Sequence, residues 1–94
     1  MRVFDIQVTE TAADDLDSIP DQLRRRILQG NAFLTTNPFP LGSNVKKLKG
    51  FKPPLYRLRS KDYRVLYRVT GETVTIMRVI DRKDLERIIK RMKL

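Results

Sequence analysis

Ninety-four residues, 40% of them hydrophobic, make a chain of single-domain size with one modest core to bury. Twenty Lys and Arg against eleven Asp and Glu leave a formal charge of +9. With no cysteine and no histidine, disulfides, thiol nucleophiles, Ser-His triads and cysteine or imidazole metal sites are excluded, so no cofactor and no metal is expected.

The apolar residues fall in periodic runs, which argues for folded elements rather than disorder. Residues 2–9 alternate as a half-buried strand, with Phe4, Ile6 and Val8 on the apolar side. Thr9 or Thr11 then offers an N-cap to a short helix with an Ala12, Ala13, Leu16, Ile19 stripe and with Asp14 and Asp15 favouring the helix dipole. Pro20 ends that helix and suits the first position of a second, predicted over residues 21–36 with Leu23, Ile27, Gly30 and Leu34 at helical spacing. Asn37-Pro38 opens a loop predicted to run to about Pro54. It contains the basic stretch 46–52, whose Lys46, Lys47, Lys49 and Lys52 read at most as generic phosphate contacts, a solvated charged loop being the alternative.

Residues 55–59, 63–69 and 73–80 read as a three-stranded antiparallel meander with tight turns at Ser60-Lys61-Asp62 and Thr70-Gly71-Glu72. Alternation puts the apolar residues of the meander under the helical hairpin and Arg57, Arg59, Arg64 and Arg68 together on the opposite face. Tyr56, Tyr63 and Tyr67 share the apolar parity and are expected in the core. Asp81 caps a last helix, with Asp84 placed as the return partner of a capping box and Leu85, Ile88, Ile89 and Met92 as its stripe; Glu86 and Lys90 are spaced to pair. The expected fold is α+β: an N-terminal strand and a two-helix hairpin packed on a small antiparallel sheet, in the order β-α-α-β-β-β-α, as a single domain over residues 1–94.

Charge is distributed unevenly. Residues 1–45 carry 4 basic and 6 acidic side chains, and residues 46–94 carry 16 and 5. A concentration of positive potential attracts polyanions, nucleic acid first among them, although a solvated basic face without a partner has the same composition. Opposed arginines on neighbouring strands cost stability unless anions meet them. Arginine is a poor general base but grips phosphate bidentately and can stabilise a phosphorane. RNA brings its own nucleophile, the 2′-hydroxyl, so a protein that aligns it and neutralises the phosphate can cleave RNA without metal or histidine. No apolar run spans a bilayer, and MRVFDIQVTE lacks the apolar segment of a signal peptide, which together predict a cytoplasmic location with no membrane contact.

The run Leu55-Tyr56-Arg57-Leu58-Arg59, Asp62-Tyr63-Arg64-Val65-Leu66-Tyr67-Arg68-Val69, with Lys47-Leu48-Lys49-Gly50 before it and Asp81-Arg82-Lys83-Asp84 after it, resembles the RelE/ParE superfamily of toxins from type II toxin–antitoxin systems. The resemblance covers nearly the whole chain. It implies a RelE-like toxin held inactive by a small RelB-like antitoxin, in assemblies that include a toxin–antitoxin heterotetramer. RelE-type members cut mRNA in the ribosomal A site and thereby inhibit translation; ParE-type members poison DNA gyrase.

Carried over position by position, the resemblance makes Arg64 the mid-strand arginine on the scissile phosphate and Arg57 the basic residue of the preceding strand. Arg82 is then the arginine after the last strand. Arg59, Arg68, Lys47, Lys49 and Lys52 join them as RNA or phosphate contacts. The expected activity is that of a metal-independent endoribonuclease on ribosome-bound mRNA. The chain departs from the family pattern at Asp81, where many members have histidine, at Glu86, where many have tyrosine, and at Leu55, where a lysine is frequent. A gyrase-directed toxin and a catalytically weakened relative that mainly binds antitoxin are the alternatives.

Overall fold

The computed structural model describes residues 3–40 and 44–93. It contains β1 (Asp5–Val8), α1 (Glu10–Asp17), α2 (Asp21–Phe33), β2 (Val45–Leu48), β3 (Leu55–Ser60), β4 (Tyr63–Thr70) and β5 (Thr73–Asp81). A 3₁₀ turn (Arg82–Asp84) then leads into α3 (Leu85–Met92). The expected α+β arrangement is present, with one strand more than the sequence suggested. The five strands are ordered β1-β5-β4-β3-β2; β1 runs parallel to β5 and the other pairs are antiparallel.

The first strand is shorter than its alternation suggested. Phe4 is buried, Ile6 is half-buried, and Val8 is exposed at the end of this edge strand; Arg2 lies outside the described residues. Thr9, rather than Thr11, caps α1: its Oγ1 accepts from the Ala12 N–H at 3.1 Å and donates to the Met77 carbonyl at 3.1 Å. Glu10, not Asp14 or Asp15, is the acidic residue of the first turn. Pro20 stands at the N-cap of α2 instead of its first helical position. That helix stops at Phe33, three residues before Thr36, because Asn37 precedes a proline and is pushed out of helical geometry. Thr35 and Thr36 donate their hydroxyls back to the carbonyls of Ala32 and Phe33, which closes the helix end.

The segment expected as one loop up to Pro54 contains β2. Val45 and Leu48 enclose two lysines, so the strand shows no alternation to read. It forms because Val45 packs into the hairpin-side core while Leu48 packs on the other face of the sheet. Pairing of Lys46 with Arg57 and of Lys47 with Tyr56 makes it the sheet edge, and exposed lysines on an edge strand discourage pairing with other chains.

Both faces of the sheet are packed. Under the helical hairpin lie Leu16, Ile19 and Ile27 against Tyr56, Leu58, Val65, Tyr67, Val74 and Ile76. Tyr56 and Tyr67 stack at 5.5 Å, and the buried Tyr67 hydroxyl donates to the Pro38 carbonyl at 2.7 Å. Tyr63 is only half-buried at the rim of this core. On the other face Phe51, Leu55, Leu66, Ile80 and Ile88 form a second core beneath α3. The arginine face is therefore not bare: its middle is apolar and covered, and the arginines edge it.

A bulge in β5 allows one strand to serve both cores. Leu66 pairs with Arg78 and Tyr67 with Ile76, which leaves Met77 as the extra residue. Ile76 and Val79, three apart, then reach the hairpin side, while Met77 and Ile80 reach the α3 side. Asp15 of α1 binds the bulge from outside. Its carboxylate accepts from Arg78 Nε at 2.8 Å, Arg78 Nη2 at 3.1 Å and the Val79 N–H at 2.9 Å.

Candidate functional site

The site is built on the β3–β4 hairpin and the turn after β5. Arg59 and Arg64 are directly opposed across the two strands, as are Arg57 and Leu66. Such pairs hold their Cβ atoms about 5 Å apart, so the arginines of β3 and the Arg64 end of β4 share one patch. Arg64 is 7% exposed, and its Nη1 donates to the carbonyls of Lys61 at 2.8 Å and Tyr63 at 2.9 Å. The turn itself supplies these acceptors: Lys61 adopts a left-handed conformation (φ 50°). Burial first, then the charges of Arg59, Arg57 and Arg82, lower the Arg64 pKa; Asp62 acts the other way. The guanidinium nonetheless stays protonated at neutral pH.

Arg82 completes the cluster from the far side of the hairpin. Its backbone N–H donates to the Asp62 carbonyl at 2.8 Å, and its Nε lies 3.8 Å from Asp62 Oδ1. Asp62, Asp81, Arg82 and Lys83 line a polar hollow of about 240 Å³. Asp81 caps the 3₁₀ turn by accepting from the Lys83 N–H at 2.9 Å. Asp84 does not act as a capping-box partner: it makes no side-chain bond at the start of α3 and faces Arg87 at 3.4 Å. The expected Glu86–Lys90 pair is not formed, and both residues are exposed.

Arg57, Arg59, Arg64 and Arg82 are thus brought together, and none of Arg59, Arg64 and Arg68 is ion-paired among the described residues. Arg68 stands apart. It lies four residues along β4 from Arg64, about 13 Å away, opposite Leu55 and Thr75, with its Nε buried and unbonded. By register Lys46 lies on the arginine face and Lys47 on the hairpin face. Lys49 and Lys52 are exposed on the β2–β3 connection, where Lys93 of the C-terminal segment sits 5.6 Å above the Phe51 ring.

Two residues of this neighbourhood escape a reading by residue class. Asp62 looks like an ordinary turn residue until the turn after β5 folds back onto it. Asp15 looks like a helix surface residue, and its one sequence signal is Arg78, a lone cation within the apolar run Ile76–Ile80.

The family model for the ParE toxin of type II toxin–antitoxin (parDE) systems matches residues 6–86. The chain is 33% identical over 78 residues to Toxin RelE3 of Methanocaldococcus jannaschii, covering 81% of this chain and 88% of that protein. Among solved structures it is similar to the archaeal RelE–RelB complex of Pyrococcus horikoshii, with a TM-score of 0.74 and 30% identity over 85% of this chain and 96% of that one. It is also similar to the RelB–RelE antitoxin–toxin complex of Methanococcus jannaschii, with a TM-score of 0.70 and 30% identity over 87% and 96%.

Proposed function

Because the chain belongs to the RelE/ParE superfamily and is a toxin of a type II toxin–antitoxin system, we propose that it acts as a metal-independent endoribonuclease on ribosome-bound mRNA. The observation that carries this reading is the cluster of Arg57, Arg59 and Arg82 around Arg64, with Asp62 beside it. Arg64 and Arg57 grip the scissile phosphate, and Arg82 neutralises the charge that develops at the phosphorane and at the leaving oxygen. Arg59 extends the grip along the backbone, and Arg68, Lys49 and Lys52 make more distant contacts. Lys47, on the other face of β2, meets a different segment of RNA. The 2′-hydroxyl is the nucleophile. A site with no strong base cuts slowly on free RNA and depends on the ribosome to hold the strand in line.

The partner that silences such a toxin is a RelB-like antitoxin. An acidic, amphipathic segment suits a molecule whose C-terminal half carries 16 basic and 5 acidic side chains. The ParE description of the matching family model favours one second reading, a gyrase poison. Induced expression with and without the antitoxin separates the two. Growth arrest with cut transcripts, relieved by Arg64→Ala, is expected; arrest with DNA damage, blocked supercoiling and intact transcripts selects gyrase instead.

A further inference from the structure

We infer that Asp62 is the general base of this site, taking the proton from the 2′-hydroxyl of the bound RNA; the assignment rests on the nuclease reading above. A nuclease working through the 2′-hydroxyl needs a proton acceptor beside the cluster that binds the phosphate. With no histidine and no cysteine in the chain, a carboxylate is the acceptor that carries a free lone pair without first giving up a proton, whereas an ammonium group must lose one and a guanidinium does not.

Four carboxylates lie on the hairpin, the turn after β5 and the start of α3, and three are more engaged or set further from the cluster than the fourth. Asp81 is occupied as the cap of the 3₁₀ turn, accepting from the Lys83 N–H at 2.9 Å. Asp84 faces Arg87 at 3.4 Å. Glu86 lines a separate depression with Lys83, Arg87, Lys90 and Arg91. Asp62 remains. Its backbone is fixed by the 2.8 Å bond from the Arg82 N–H. Its carboxylate makes no hydrogen bond among the described residues, is 74% exposed, and stands 3.8 Å from Arg82 Nε at the hollow it shares with Asp81, Arg82 and Lys83. The charge of Asp62 is also felt at Arg64, on the adjoining strand. A phosphate held between Arg64 and Arg82 therefore has this carboxylate beside it.

The step balances within the RNA and solvent. The Asp62 carboxylate takes the 2′-hydroxyl proton as the 2′-oxygen bonds to phosphorus. The bond from phosphorus to the 5′-oxygen breaks, and that oxygen takes a proton from water. The products are a 2′,3′-cyclic phosphate and a 5′-hydroxyl end, and Asp62 returns its proton to solvent. The charged groups around Asp62 are Arg64 of β4, Arg82 and Lys83 of the 3₁₀ turn, Asp81 at the end of β5 and Lys61 beside it in the turn.

Single-turnover cleavage of mRNA on ribosomes by the full chain tests the assignment. Asp62→Asn is expected to lower kcat about 100-fold with KM unchanged, the scale of a lost general base. Between about pH 6 and pH 8 the Asp62→Asn rate is expected to rise about tenfold per pH unit, because hydroxide must then take the proton. Asp62→Glu is expected to recover most of the loss. An Asp62→Asn variant that cuts at the wild-type rate, or that is slow but does not speed up with pH, overturns the assignment and leaves the nuclease reading standing. A wild-type protein that cuts no ribosome-bound mRNA overturns both.

Discussion

In the proposed reading the chemistry turns on Arg64, a side chain only 7% exposed. The carbonyls of Lys61 and Tyr63 hold its Nη1, and no carboxylate among the described residues is ion-paired with it. Arg64→Ala is expected to cost about 1 kcal/mol of stability, since the acceptors it abandons sit in an exposed turn. Cleavage is expected to fall at least ~100-fold, as when a donor to developing charge is lost. Denaturant melts beside cleavage assays check both. Arg64→Lys, which keeps the charge but not the planar fork, is expected to recover little activity.

Tyr67 gives a pH prediction at the same scale. Burial, and secondarily Tyr56, raise its phenol pKa above the ordinary value of 10.0. The unfolded chain therefore loses this proton first, so the contribution of the neutral phenol is complete below about pH 10 and drains away as pH rises above it. Equilibrium unfolding across pH 8–11 should show a falling stability that Tyr67→Phe makes shallower, at a cost of about 1 kcal/mol at neutral pH for the lost bond to Pro38. Single residues were partly legible in the sequence. Mid-strand parity located Arg64 and placed Tyr56 and Tyr67 in the core. Asp62 and Asp15 were not legible, because each acquires its partner from a segment distant in the chain, Arg82 and Arg78 respectively.

Among the elements, α3 and the β5 bulge bear most directly on the sheet face that holds the arginines. The sheet face that holds the arginines also buries Leu55, Leu66 and Ile80, and α3 covers them with Ile88 at its centre. Ile88→Ala is expected to destabilise the fold by about 2–4 kcal/mol and to expose apolar surface beside the site, which thermal melts and dye binding would record. Asp15→Ala leaves the Arg78 guanidinium and the Val79 N–H without their acceptor, at an expected cost of about 2–3 kcal/mol in chemical denaturation. Helices and meander strands were readable from periodicity. The strand β2 was not, because Val-Lys-Lys-Leu matches neither period. The bulge was also hidden, because it arises from the demand that β5 serve two cores at once.

Over the whole molecule, charge is the feature that the proposed function draws on. The C-terminal half, with 16 basic and 5 acidic side chains, spreads them over β2, the β2–β3 connection, the β3–β5 strands and α3. Association with ribosomes or RNA should weaken steeply with salt. Arg59→Ala should reduce the log–log salt slope by about 0.7–0.9, the signature of one lost phosphate contact, in titrations at several ionic strengths. The overall charge and the α+β arrangement followed from composition and pattern; which cations converge depended on strand register. That register separates Lys46 from Lys47 and leaves Arg68 outside the cluster. The most direct measurement maps mRNA ends after purified ribosomes stalled on a defined message are mixed with wild-type protein or with Arg64→Ala. Cuts within the A-site codon by the wild type, lost in the folded variant, are predicted. Intact message with the wild type, or identical cuts with Arg64→Ala, would contradict the assignment of this arginine cluster as the seat of RNA cleavage.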